Sequence, residues 1–418
     1  MQVRQEIFDT YWRFAALRQE VFFNKIKNLP QPWTNDPIIQ TYKFCNAYRA
    51  SDRVSQYLIK NIIYDNSRNK NEEEVLFRIF LFKIFNKIET WEYIENKLDN
   101  HITLKCFNFN LYSQILQEAK DTGYSIYTSA YMSCASKEFG YEKKHQNHLS
   151  LIDKIIFQDR IIADIVKSKS LQEVFNIIQG YPLLGKFMAY QLATDINYSE
   201  IINFDENSFT IAGPGAERGI NKCFIHKSDK TNAEIIHWMV ENQEQEFERL
   251  GLNFQTLWGR SLKAIDCQNL FCETDKYCRQ AFPEIISNRK KIKSKFTANP
   301  QPINYFYPPK WGINNRIKQT TAQNSLQLKT QQKIFLNLDN SLNNQRVLVK
   351  KELNISGKQL FIEDKLISSL FMVENNELEE VIQVKKSFKR AKKLKKTNSK
   401  EAKKEKLLEN TFKQLHLF

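Results

Sequence analysis

Apolar residues recur at three- and four-residue steps from the start of this chain. Ile7, Phe8, Tyr11, Trp12, Ala15 and Phe22 share one face of a helix, a spacing that does not suit a strand. Pro30-Gln31-Pro32-Trp33 ends that helix. The pattern predicts further helices over residues 42–63, 72–94, 149–166, 186–194 and 233–250, the second with Leu76, Ile79, Phe80, Lys83 and Ile84 in register. Ser170-Leu171-Gln172-Glu173 has the form of a capping box and predicts one more helix start. With 11 Gly and 10 Pro in 418 residues, the chain is too poor in turn residues for a sandwich or barrel. No run of strands is read before residue 285 and no internal repeat is seen, so the expected fold class is all-α.

The character changes near Ser287. Arg289, Lys290, Lys291, Lys293 and Lys295 form a basic run, followed by Pro300, Pro302, Pro308 and Pro309. The expected organisation is a helical catalytic region over 1–285 and a basic, proline-rich linker over 286–324. Residues 325–384 form a small appendage or a linker, and 385–418 a disordered tail. Charge follows the same division. Residues 385–418 hold 13 Lys/Arg against 3 Asp/Glu, a net of +10 out of +15, so the body is only mildly basic and the tail is a polycation. A polycation is drawn to phosphates and releases counterions on binding them. A solvated solubility tail is the plainer reading. A membrane-surface role is disfavoured, because the tail lacks an interleaved aromatic face.

Seven cysteines, Cys45, Cys106, Cys134, Cys223, Cys267, Cys272 and Cys278, are an odd number in a long chain, and charges at Arg4, Glu6, Asp9 and Arg13 do not suit a signal peptide. Reduced thiols and a cytoplasmic setting are expected. The most apolar stretch, residues 75–85, is interrupted by Arg78 and Lys83 and is too short to span a bilayer. Cys267, Cys272 and Cys278 supply three thiols rather than the four of an iron–sulfur site, and His145 and His148 have no nearby Cys partner. Neither a metal nor a cofactor is expected.

Tyr181-Pro182-Leu183-Leu184-Gly185-Lys186 lies between two predicted helices. This is the layout of a helix-hairpin-helix, whose tight turn offers backbone N–H groups to a DNA phosphate. The segment resembles the Leu-Pro-Gly-x-Gly-basic hairpin of helix-hairpin-helix DNA glycosylases: Pro182, Gly185 and Lys186 agree, Tyr181 and Leu183 depart. In those enzymes the catalytic Asp stands twenty residues past the second Gly, which here is Asp205. An ordinary interhelical turn, and a capping role for Asp205, are the plain alternatives. A phosphate loop of the GxxxxGK type is rejected, because Phe187 stands where a Ser or Thr must meet the metal. Beyond Asp205, Gly213-Pro214-Gly215-Ala216-Glu217-Arg218-Gly219 reads either as a close-approach cradle for phosphate, with Arg218 adding charge, or as a plain tight turn.

Four blocks carry a wider resemblance: Phe44-Cys45-Asn46-Ala47-Tyr48-Arg49-Ala50-Ser51-Asp52-Arg53, Phe85-Asn86-Lys87-Ile88-Glu89-Thr90-Trp91, Phe204-Asp205-Glu206-Asn207 with Gly213-Pro214-Gly215-Ala216, and Asp266-Cys267-Gln268-Asn269-Leu270-Phe271-Cys272-Glu273. Over residues 5–285 the chain resembles the alpha-glutamyl/putrescinyl thymine pyrophosphorylase family, which is similar to helical DNA glycosylases. That family includes phage enzymes that hypermodify thymine and bacterial antiphage glycosylases. The resemblance implies a helix-hairpin-helix glycosylase-like core and double-stranded DNA with modified bases as partner. Asn46, Arg49, Asp52 and Arg53, with Asp266, Gln268, Asn269 and Glu273, are then a base pocket or a structural polar network.

Three functions follow. The first is excision of a modified pyrimidine, with Pro182, Gly185 and Lys186 gripping DNA, Gly213, Gly215 and Arg218 adding phosphate contacts, and Asp205 stabilising the oxocarbenium-like transition state, with Glu206 beside it. Phe187, where bifunctional glycosylases carry Lys, argues against a lyase step. The second is displacement of pyrophosphate from a hydroxymethyl-pyrimidine pyrophosphate by an amine or amino acid, with Asp205 or Glu206 as base. The third is a non-catalytic DNA-binding module.

Gln414-Leu415-His416-Leu417-Phe418 looks like the peptide by which bacterial polymerases and repair enzymes bind the DNA sliding clamp. Leu415, Leu417 and Phe418 suit a hydrophobic groove, and the Gln414 amide suits its rim. The synthetic tail peptide is expected to bind a bacterial clamp with a Kd on the order of micromolar, read by fluorescence anisotropy. Deleting residues 414–418 should remove that binding and spare activity on short oligonucleotides.

Overall fold

The computed structural model describes residues 1–128 and 135–285, then 288–289, 291–292, 294–299 and 303–317. The segments expected as an appendage (325–384) and a basic tail (385–418), with Gln414, Leu415, Leu417 and Phe418, lie outside the described residues.

The fold is all-α. Its helices are α1 (Gln5–Ile26), α2 (Pro37–Thr41), α3 (Arg53–Tyr57), α4 (Glu72–Phe85), α5 (Ile88–Leu98), α6 (Phe109–Asp121), α7 (Lys144–Ile152), α8 (Ile162–Lys167), α9 (Leu171–Gln179), α10 (Lys186–Asn197), α11 (Pro214–Cys223), α12 (Asn232–Glu241), α13 (Gln243–Arg249) and α14 (Ala264–Ala281). One short antiparallel pair, β1 (Gln2–Val3) with β2 (Phe224–His226), ties the N-terminus to the end of α11.

α4 organises the interior. From Glu74 to Phe85 every residue is buried, so this helix is apolar on all sides and sits in the core rather than on it. Its two buried cations are both met: Arg78 donates to the carbonyls of Ile62 (3.0 Å) and Asn69 (2.8 Å), and Lys83 pairs with Asp195 (2.8 Å). α1 lies against α13 and α14 through Tyr11 on Phe271 (4.6 Å between ring centres) and Trp12 on Phe247 (5.1 Å). No helix among the described residues is long and apolar enough to cross a membrane.

Several predicted helices are divided, each for a local reason. Residues 42–63 do not form one helix: an irregular segment runs to a 3-10 turn (Arg49–Ser51), then α3 and a π-helical turn (Leu58–Ile63). The Asn46 N–H donates to Asp52 Oδ1 (2.8 Å) and its side-chain amide to the Ser51 carbonyl (2.8 Å), bonds that compete with helical ones. Residues 72–94 break at Asn86, which is left-handed (φ 47°). Residues 149–166 break at Arg160 (φ 50°), and residues 233–250 at Asn242, whose side chain donates to the Trp238 carbonyl. The Ser170 cap forms as predicted, its hydroxyl accepting the Glu173 N–H at 3.1 Å.

Residues 303–317, expected within a linker, are folded onto the helical unit. Tyr307 is fully buried with its hydroxyl 2.7 Å from Ser51 Oγ, Phe306 N–H donates to Gln56 (2.8 Å), and Ile313 and Ile317 are buried. Aromatic side chains at Tyr305, Tyr307 and Trp311 carried too much apolar surface to remain in water.

α11 and α14 approach very closely. A Cβ on Gly219 would stand 2.1 Å from the Phe271 carbonyl oxygen, and one on Gly215 2.8 Å from Cys272 Sγ. Gly219→Ala should therefore cost roughly 2–4 kcal/mol in urea denaturation. Gly215→Ala should cost less, because a side chain yields more readily than a backbone carbonyl.

Candidate functional site

The turn between α9 and α10 is tight. Leu183 adopts a left-handed conformation (φ 65°), and it occupies the position where the glycosylase hairpin pattern has Gly. Gly185 caps α10 with extended backbone and no side-chain bond, so the first N–H groups of α10 are uncapped. Gly185 and Lys186 are exposed, Pro182 is half-buried, and no atom lies within 4 Å of a Cβ built on Gly185. The geometry leaves this tip open to a large anion.

The loop from α10 to α11 carries Asp205 and Glu206. Asn197, buried near the end of α10, grips Phe204 from both sides: its amide donates to the Phe204 carbonyl and its oxygen accepts the Phe204 N–H, both at 2.9 Å. Asn207 accepts the Ala264 N–H at the start of α14 (3.1 Å). Between these anchors Asp205 is exposed, its Oδ1 accepting the Asn207 N–H (3.0 Å) and its carbonyl the Ser208 N–H. That is an Asx turn, which holds the carboxylate at the loop tip. Glu206 Oε1 lies 2.7 Å from Arg260 Nη2, and both side chains are mostly buried. The Arg260 guanidinium lies 3.8 Å above the Trp311 ring.

Beneath this loop is a buried ionic knot. Asp195 is fully buried between Arg49 (2.7 Å) and Lys83 (2.8 Å). Arg49 also donates to Gln191 Oε1 (2.9 Å) and Tyr198 Oη (3.1 Å), and its backbone N–H to Asp266 Oδ1 (2.8 Å). Burial lowers the Lys83 ammonium to about 8, with Asp195 opposing the fall and Arg49 adding to it. Burial raises the Asp266 carboxyl to about 6, while the N–H bonds from Lys263 and Arg49 hold it down.

The eight residues expected to form one pocket or network divide into separate sets. Arg49 and Asp266 join the knot. Asn46, Asp52 and Glu273 belong to a second network: Arg18 donates to Asn46 Oδ1 (3.2 Å), and Glu273 accepts the Cys45 N–H (2.9 Å) and pairs with Lys276 (2.6 Å). Burial raises Asp52 to about 6 as well. Arg53 starts α3, half-buried. Gln268 and Asn269 are buried on α14, and Gln268 Oε1 and Asn269 Nδ2 have no hydrogen-bond partner among the described residues.

The glycine segment packs rather than opens. A Cβ on Gly213 would meet the Phe187 ring at 2.7 Å, and Gly215 faces Cys272, so the small side chains are used against protein. Arg218 Nε, Lys222 Nζ and Arg279 Nη2 converge on the buried Asp275 at 3.0, 3.1 and 2.6 Å. Sequence reasoning missed Asn197, Arg260 and Trp311 altogether. Asp195 had a legible signal, sharing a helix face with Gln191 and Tyr198 at four- and three-residue steps. Among the described residues no group of His, Cys, Asp or Glu is placed to hold a metal, and Cys45, Cys106, Cys223, Cys267, Cys272 and Cys278 are free.

Residues 5–287 match the family described as 5-hmdU DNA kinase, helical domain. The 5-hmdU DNA kinase of Bacillus phage SP10 is 23% identical over 337 residues, covering 75% of this chain and 51% of that protein. The chain thus spans about half the length of the curated relative it matches. No solved structure matches. All four blocks that suggested a pyrophosphorylase relative fall inside 5–287, and the family matched is the kinase helical domain rather than the pyrophosphorylase.

Asp195→Ala should cost about 3–5 kcal/mol, because two buried cations lose their shared carboxylate. Lys83→Met should cost clearly less, since Arg49 remains paired. Equilibrium denaturation of both variants checks the order.

Proposed function

Because this chain belongs to the 5-hmdU DNA kinase helical-domain family, we propose that it acts on a 5-hydroxymethylpyrimidine base, or a phosphorylated derivative of one, in double-stranded DNA. The observation that carries this reading is that the matched span holds both the open hairpin tip at Gly185 and the anchored Asp205–Glu206 loop. A DNA grip and a pair of carboxylates thus lie on one helical unit. Phosphoryl transfer itself is not assigned to these residues: residues 180–185 join two helices, and Phe187 stands where a metal-binding hydroxyl is needed.

A base must leave the duplex stack before its substituent is reached. The uncapped N–H groups of α10 hold a backbone phosphate, and the flipped base meets the Asp205 loop. The reaction proposed is substitution at the 5-methylene carbon of a pyrophosphorylated hydroxymethyl base. An amine forms the new C–N bond while the C–O bond breaks. Pyrophosphate leaves with the bonding electron pair, and Asp205 or Glu206 takes the proton that the new ammonium loses. Modified double-stranded DNA is the partner, in the cytoplasm of a bacterial cell that meets phage.

Base excision is the second reading, favoured by one observation: Asp205 stands twenty residues past Gly185, in the register of the helix-hairpin-helix glycosylases. The two differ in product. Nucleoside mass spectrometry of duplex DNA bearing 5-hydroxymethyl- or 5-pyrophosphorylmethyl-deoxyuridine, incubated with the protein and amines, should show an intact, heavier base. Free base and abasic sites would support excision instead, and unchanged DNA in every case would reject both. Asp205→Asn should lower turnover by roughly 100-fold or more while duplex affinity stays within about threefold of wild type. Gly185→Glu should do the reverse, weakening binding and flattening its salt dependence.

A further inference from the structure

The geometry points to Arg260 as an oxyanion-binding residue of this site, one that takes two oxygens of the departing pyrophosphate and is held in position by Lys310 and Trp311. This rests on the substitution reading above. The Nε and Nη2 atoms form the edge with which a guanidinium binds two oxygens of a phosphate. In Arg260 both atoms are buried; Nε has no hydrogen-bond partner among the described residues, while Nη2 faces Glu206 Oε1 at 2.7 Å. Glu206 balances the charge at Nη2 and leaves Nε unmet. A buried Nε–H is costly to leave unmet, which is expected where a ligand completes it.

The guanidinium face lies on the Trp311 indole at 3.8 Å, which fixes its plane. The main chain at Arg260 is fixed too, its carbonyl accepting the Tyr48 hydroxyl at 2.5 Å. Trp311 is held in turn by Tyr198, edge to face at 5.6 Å, and by Tyr307, stacked at 5.8 Å. Lys310 secures the facing wall: its ammonium donates to the carbonyls of Ser199 and Ile202, both at 2.7 Å, just before the loop that carries Glu206. Burial disfavours the Lys310 ammonium, and Glu200 and then Glu206 offset that cost. Lys310 and Trp311 lie beyond the matched span of 5–287. Segment 303–317 is therefore a working part of the site rather than a connector.

Glu206 and an incoming oxyanion compete for one edge. Pyrophosphate binding must displace the Glu206 carboxylate, which is then free to receive the proton released from the amine. Charge and proton accounting close: the anion replaces the carboxylate at Arg260, and the carboxylate ends protonated.

The test is pyrophosphate binding by the full-length protein, followed by calorimetry, beside mass spectrometry of base conversion and melting temperature. Arg260→Ala should weaken pyrophosphate binding at least about tenfold, and Arg260→Lys, which keeps the charge and is the safeguard if the alanine variant misfolds, should recover only part. Trp311→Ala should weaken it several-fold and Trp311→Phe should restore most of the loss. Glu206→Gln should tighten pyrophosphate binding, an outcome that a purely structural salt bridge does not produce. Equal pyrophosphate affinity in wild type, Arg260→Lys and Glu206→Gln overturns the assignment, as does no binding to wild type. A protein that converts the base but shows no Arg260 dependence sinks this inference alone. One that binds pyrophosphate through Arg260 yet leaves every DNA base unchanged upholds it and removes the proposed reaction.

Discussion

Asp195 is a single carboxylate shared by two buried cations, and much of the helical unit is arranged around it. Arg49 comes from the turn before α3, Lys83 from the buried α4, and Asp195 itself from α10, the helix that begins at the hairpin tip. Charges this deep persist only when paired and hydrogen-bonded, so each element must stay in register for the others to be tolerated. Gln191 and Tyr198 complete the coordination of Arg49 from the same face of α10. The knot therefore fixes the rotation of α10 about its axis, and with it the direction of the loop that follows.

Position passes outward from the knot by short hydrogen-bonded steps. Arg49 fixes the Asp266 side chain at the first turn of α14, Asn207 accepts the Ala264 N–H that opens the helix, and Asn197 clamps Phe204. Asp205 and Glu206 lie between these anchors. One carboxylate is left at the surface and the other faces Arg260. The two acidic neighbours in sequence thus meet different environments, which is the ordinary way for adjacent carboxylates to acquire different tasks. Close packing of α11 on α14 through Gly215 and Gly219 brings the far side of the loop in. Those glycines serve the approach of protein to protein, and the cradle reading for them has no open concavity to support it.

Relation to the 5-hmdU DNA kinase helical-domain family gives the helical unit a context in phage DNA modification, and residues 180–187 among the described residues do not form a phosphate loop of the GxxxxGK type.

Local order was legible in the sequence. The period of Ile7, Phe8, Tyr11 and Trp12 determined α1, the scarcity of Gly and Pro determined an all-α fold, and Ser170 with Glu173 determined a helix start, because each depends on neighbours a few residues away. The hairpin at Pro182–Gly185 was legible for the same reason. Helix ends were not: Asn86, Arg160 and Asn242 break runs that look continuous, through left-handed backbone or a side-chain bond whose cost only the surrounding packing decides. The site was legible in part. Asp205 and Glu206 could be named, whereas Arg260 and Trp311 meet across 51 positions of chain and carry no pattern in common. Whether Arg49 belongs with Asn46 and Asp52 or with Asp195 was likewise settled only by tertiary structure. A buried charge chooses its partner by proximity in space, and sequence spacing records proximity only along a single helix or strand.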